Sequence, residues 1–117
     1  LVPEERAAFH AGKGHLLNYQ EYESALNDYS IGIELLAVGT REEMLSIMPA
    51  EVYDSISPND IGYTDAQYAS LKELLDDILK RNPLIKNDRE HIIGHDEYAP
   101  VRKSDPGDLF DWSRIGY

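Results

Sequence analysis

The sequence predicts an α/β domain with helices packed against a β-sheet. Two observations carry this. Residues Ser30-Ile31-Gly32-Ile33-Glu34-Leu35-Leu36-Ala37-Val38 form a β-branched and aliphatic run between the Asn27-Asp28 turn signal and Gly39. Thr64 to Asn82 places apolar residues at helical spacing. With the shorter segments the order reads strand, helix, excursion, helix, strand, which puts both kinds of element around one core. At 117 residues the chain fits a single domain, 1–117.

The elements follow in order. Leu1 to Ala8 starts apolar and turns charged at Glu4-Glu5-Arg6, as the end of a strand running into a turn at Pro3 would. Phe9 to His15 is a glycine-containing loop with two histidines, and Asn18 to Asn27 reads as loop or short helix. The run 30–38 is apolar on both alternations, which predicts a central strand covered on both faces. Thr40 and Glu43 fit a capping box for a short helix to about Met48, ended by Pro49. Residues 49–62 hold Pro49, Pro58, Asn59, Asp60 and Gly62 and read as a long surface excursion. Thr64 and Gln67 form a second capping box, and Asp65 suits the positive end of the helix dipole. Tyr68, Leu71, Leu74, Leu75, Ile78 and Leu79 make one apolar face, and Pro83 ends that helix. His91-Ile92-Ile93 reads as a short strand, and Leu109 to Ile115 as a closing turn that docks Phe110 and Trp112.

Composition excludes several classes. Twenty-two acidic residues face 11 basic ones, for a net charge of −11. Nucleic-acid binding needs a basic stripe, and none is visible. There is no cysteine, so no disulfide, thiolate metal site or thiol nucleophile. No run of about 18 apolar residues exists to span a membrane. No signal peptide is seen, and the compartment stays open between cell wall and cytoplasm.

Chemistry-bearing residues concentrate in Gly94 to Gly107. His95 and Asp105 offer an imidazole and a carboxylate, both zinc donors, in a loop that Pro100, Pro106 and Gly107 can fold back. A capped loop with a surface histidine accounts for the same spacing. Lys103 could stabilise an oxyanion beside a metal, or be a solvated lysine. Glu34 lies inside an aliphatic run, where a carboxylate costs free energy unless paired or bound. That suits a general base in a cleft, and equally a position on a solvent face. His10 and His15 could ligate a metal, touch substrate or be plain surface. Gly12-Lys13-Gly14 is too short for a phosphate loop, and no Gly-x-Ser-x-Gly elbow is present.

Four segments in sequence carry a family resemblance. Val2-Pro3 through Phe9-His10-Ala11-Gly12 resembles a "VP…(W/F)HAG" segment. Asn27-Asp28-Tyr29-Ser30-Ile31-Gly32-Ile33-Glu34-Leu35 resembles "N-x-x-SIGIEL". Tyr63 to Tyr68 is similar to the start of a long helix, and Gly94-His95 to Gly107 with Phe110-Asp111-Trp112 resembles "GH-x-x-x-(A/S)P-x-RK-x-DPG…FDW". These are features of the zinc-dependent N-acetylmuramoyl-L-alanine amidases of the type-2 family, which includes phage lysins and is related to peptidoglycan recognition proteins. The resemblance covers nearly the whole chain except 39–62, which reads as an insertion.

The resemblance implies a mixed central β-sheet with helices packed on it, and a Zn2+ ion in a surface groove. It implies hydrolysis of the amide between N-acetylmuramic acid and L-alanine in peptidoglycan or muropeptides. His95 and Asp105 match zinc ligands. Glu34 matches the carboxylate that activates water, and Lys103 the cation that steadies the tetrahedral intermediate. His10 and Arg102 fall at the substrate groove. The family's first zinc ligand, a histidine on an early strand upstream of the HAG segment, has no counterpart here. The expectation is therefore a C-terminal portion of a catalytic domain, its early strands and third ligand supplied by an upstream segment or a second chain. A non-catalytic muropeptide-binding module of the same fold is the alternative.

Overall fold

Capping chemistry sets where some of the helices begin. The computed structural model describes residues 1–117 and contains α1 (Leu26–Tyr29), α2 (Arg41–Met44), α3 (Ala50–Asp54), α4 (Asp65–Arg81) and α5 (His95–Tyr98). Single 3₁₀ turns cover Gln20–Tyr22, Pro58–Asp60 and Trp112–Ile115. Both predicted capping boxes form: the hydroxyls of Thr40 and Thr64 accept from the amides of Glu43 and Gln67, whose side chains accept in return. The excursion 49–62 is less irregular than its composition suggests, since it holds α3 and a 3₁₀ turn. No helix is long and apolar enough to cross a membrane.

There is no β-sheet, which overturns the predicted mixed central sheet and the strands at 30–38 and 91–93. The one β pairing is an isolated antiparallel bridge between Val38 and Gly62, where the Gly62 N–H donates to the Val38 carbonyl at 2.7 Å. A strand exists through its ladder with a neighbour. The amides of residues 31–37 donate no backbone hydrogen bond, so their β-branched composition has nothing to pair with. At 91–93 a local competitor wins. The Asp88 carbonyl accepts from the amides of both His91 and Ile92, closing a turn.

The chain divides into two compact units. The first comprises Leu1–Glu34 and Gly94–Asp105, and the second Leu35–Ile93 and Pro106–Tyr117. The second unit is built on α4, which buries Tyr68, Leu71 and Leu75 against Phe110 and Ile115. Phe110 packs edge-on to Tyr63 at 5.2 Å and to Trp112 at 4.8 Å between ring centroids, the arrangement that aromatic quadrupoles favour. The Tyr68 hydroxyl accepts from the Asp111 amide at 2.9 Å, tying the closing turn to the helix. Glu43 braces the same unit, its carboxylate accepting from the amides of Thr40 and Asp108, each at 2.8 Å. Burial pushes the Glu43 carboxyl up, but these hydrogen bonds together outweigh it and hold the group below its ordinary value.

The first unit has a smaller interior of Ala11, Leu26, Tyr98 and Ala99. Tyr98 is its anchor, with 1% of its surface exposed. The Tyr98 carbonyl accepts from the His15 amide at 3.0 Å, and its hydroxyl donates to the Tyr22 carbonyl at 3.3 Å. All six candidate site residues belong to this unit.

Candidate metal and substrate site

The site grows from α5. The Glu97 carboxylate accepts from the Gly94 amide at 2.6 Å, so the helix opens with His95 as its first residue. After α5 the chain turns tightly, with the amides of Arg102 and Lys103 both donating to the Ala99 carbonyl. The loop then returns, and the Asp96 amide donates to the Asp105 carbonyl at 2.8 Å. That backbone bond sets the Asp105 carboxylate beside His95, with Oδ2 at 3.1 Å from Nδ1. Burial raises the Asp96 carboxyl; the Glu97 amide opposes this, and the negative Glu97 and Asp105 reinforce it.

The other His95 nitrogen decides the chemistry. Nε2 lies 2.8 Å from the Ala11 carbonyl oxygen, which can only accept, so Nε2 carries the proton. In the neutral ring the Nδ1 lone pair then faces a carboxylate oxygen that also only accepts. Two lone pairs at this distance need a proton or a cation between them. A tetrahedral zinc ion with N and O ligands at about 2.0–2.1 Å would hold them roughly 3.3 Å apart. The observed 3.1 Å is close to that, and a carbonyl on the far nitrogen is the usual second partner of a metal-bound histidine. The pair therefore fits a divalent metal. It stands as two donors, because the chain gathers no group of three or more His, Asp or Glu side chains able to hold one.

The remaining candidates lie around this pair in different ways. Arg102 donates to the carbonyls of Ala11 at 2.7 Å and Lys13 at 2.8 Å, so its guanidinium braces the HAG loop. His10 contacts the Ala8 carbonyl through Nδ1 at 3.0 Å and the Ser30 hydroxyl through Nε2 at 2.8 Å. Glu34 and Lys103 are exposed. No hydrogen bond or ion pair joins either of them to His95 or Asp105. A shallow pocket of about 190 Å³ is lined by His15, Leu16, Leu17, Gln20 and Glu23, and by none of the six candidates.

Sequence reasoning missed two participants. The Asn27 carboxamide oxygen accepts from the amides of His10, Ala11 and Gly12 at 3.1, 2.7 and 3.3 Å. The second is a backbone group, the Ala11 carbonyl, which no side-chain pattern reveals. Asn27 did carry a signal. Asparagine side chains readily gather nearby backbone amides, yet it read as a turn marker and as the first residue of the "N-x-x-SIGIEL" segment, with no role attached.

Residues 1–108 match the family model described as N-acetylmuramoyl-L-alanine amidase, and the chain belongs to that family. Among curated relatives it is similar to the 1,6-anhydro-N-acetylmuramyl-L-alanine amidase AmpD of Haemophilus influenzae. The two are 41% identical over 107 residues, or 92% of this chain and 44% of the relative. AmpD of Escherichia coli is 35% identical over 97% of this chain and 48% of its own length. The N-acetylmuramoyl-L-alanine amidase AmiD of the same organism is 33% identical over 98% of this chain and 35% of its own length. The chain thus spans less than half the length of these relatives. No solved structure gives a significant match.

Proposed function

We propose that this chain carries amidase chemistry, the hydrolysis of the amide between N-acetylmuramoyl and L-alanine in peptidoglycan or muropeptides. One observation carries the reading: the His95 ring, protonated toward the Ala11 carbonyl, turns its other nitrogen to Asp105 at 3.1 Å. His95 and Asp105 would hold zinc. When bound, the ion would act as a Lewis acid on the scissile carbonyl and acidify water. Glu34 is the base: its exposed carboxylate takes the proton of the attacking water and passes it to the departing L-alanine nitrogen. Lys103 offsets the negative charge that develops on the carbonyl oxygen. His10 and Arg102 border the substrate. A catalytic zinc takes three protein ligands, so the third donor comes from outside residues 1–117, from an upstream segment or a second chain.

Release of stem peptide from purified peptidoglycan and from an anhydro-muropeptide, with and without chelator, tests the reading in a protein that includes the third donor. Glu34→Gln should lower the rate by about 10²–10⁴-fold with zinc retained. Undiminished hydrolysis in that variant would remove Glu34 from the mechanism, and chelator-resistant hydrolysis would remove the metal. For residues 1–117 alone, elemental analysis should find substoichiometric zinc; full occupancy would show that no further donor is needed. A second reading, a muropeptide-binding module without catalysis, draws on the absence of contact between Glu34 or Lys103 and the metal pair. It expects muropeptide binding without peptide release.

A further inference from the structure

We propose that Asn27 is a positioning residue that fixes the tautomer of His95; for the importance of that tautomer the inference rests on the amidase reading. The three amides gathered by the Asn27 oxygen are consecutive, and the middle one, Ala11, is held most closely at 2.7 Å. Consecutive amides pointing at one acceptor restrict the peptide planes between them. The Ala11 carbonyl is thereby held where it receives His95 Nε2–H at 2.8 Å and Arg102 Nη2–H at 2.7 Å. With Nε2 committed to that oxygen, the neutral ring keeps its lone pair on Nδ1, on the side of Asp105. Asn27 touches neither His95 nor Asp105. It acts through one backbone oxygen. The three donors also identify which atom of the carboxamide is oxygen, and the Asn27 nitrogen makes no hydrogen bond of its own. Only the acceptor matters, so aspartate should replace asparagine here, and alanine should not.

The test is long-range ¹H–¹⁵N spectroscopy of the His95 ring in the metal-free chain, at about pH 8, above the ordinary imidazole range. The unsubstituted chain and Asn27→Asp should both keep a proton fixed on Nε2, alone or with a second proton on Nδ1 toward Asp105. Asn27→Ala should show averaged ring shifts and about a 10-fold weaker affinity for added zinc, as loss of a partner behind the ligand usually brings. If Asn27→Ala does not fold, judged by its amide spectrum, Asn27→Gln replaces it; the extra methylene displaces the oxygen, and the same averaging is expected. Unchanged Nε2–H shifts in the folded Ala or Gln variant would overturn the proposal. So would averaging in Asn27→Asp equal to that in Asn27→Ala. The spectra need neither zinc nor substrate, so failure of the amidase reading would appear only in the hydrolysis assay.

Discussion

At the scale of single residues, the site depends on conformations that few side chains tolerate. Gly12 sits at φ +67°, and a Cβ placed on it would lie 2.8 Å from Arg102 Nη2. Left-handed backbone costs an ordinary L-residue roughly 1–2 kcal/mol. The clash also dislodges the guanidinium that braces the HAG loop. Gly12→Ala should therefore lose at least about 1 kcal/mol of stability, read as a lowered urea midpoint. In a full-length protein it should also weaken zinc binding. His95 and Asp105 stood out as zinc donors, and the structure sets them 3.1 Å apart. Glu34 was singled out because a carboxylate is costly in an aliphatic run. Its side chain is exposed, so that cost does not arise. Arg102 was placed at the substrate groove, and its hydrogen bonds run to the backbone of Ala11 and Lys13.

At the scale of elements, what was local was legible. Thr64 and Gln67 cap α4 because hydroxyl and carboxamide reach the free amides across three residues, a geometry that needs nothing distant. Thr64→Ala should cost about 1 kcal/mol, measured by denaturant unfolding, and Thr64→Ser should restore most of it. Ser30 to Val38 failed as a strand for the opposite reason. Its composition suits a pleated surface, but pairing depends on a partner that composition cannot name. Native-state hydrogen exchange should make the contrast visible. The buried Leu71, Leu75 and Ile78 amides of α4 should exchange slowest, and the unpaired amides of 31–37 near their unprotected rates. Protection of 31–37 matching that of α4 would contradict the absence of a sheet.

At the scale of the molecule, a net charge of −11 leaves carboxylates in excess of cations, and stability in acid depends on the carboxylates that folding holds below their ordinary values. Glu43 is the clearest. Its folded value lies below the ordinary 4.5, so its contribution is fully present above that pH and is lost as pH falls from there through the folded value. Unfolding midpoints recorded across that window should fall with pH, and Glu43→Gln should flatten the decline. An equally steep acid limb in that variant would assign the loss to other groups. The division into two units was not legible at all. The second is assembled from 35–93 and 106–117, and those distant stretches are joined by packing of Phe110 and Ile115 against α4 and by bonds such as Asp108 N–H to Glu43 and Asp111 N–H to Tyr68, none of which a sequence pattern reveals.

The Ala11 carbonyl accepts from both His95 and Arg102, and it belongs to the main chain. Replacing Ala11 with any other amino acid leaves that oxygen in place. Mutational scanning would therefore rank position 11 by the size its buried side chain may reach, and would assign it no chemical role. The information that orients the imidazole is stored in the path of the backbone rather than in the alphabet of residues. Replacing the amide that follows Ala11 with an ester weakens its carbonyl as an acceptor, keeps every side chain and removes only the longest of the three donors to Asn27, the Gly12 amide at 3.3 Å, and would expose it.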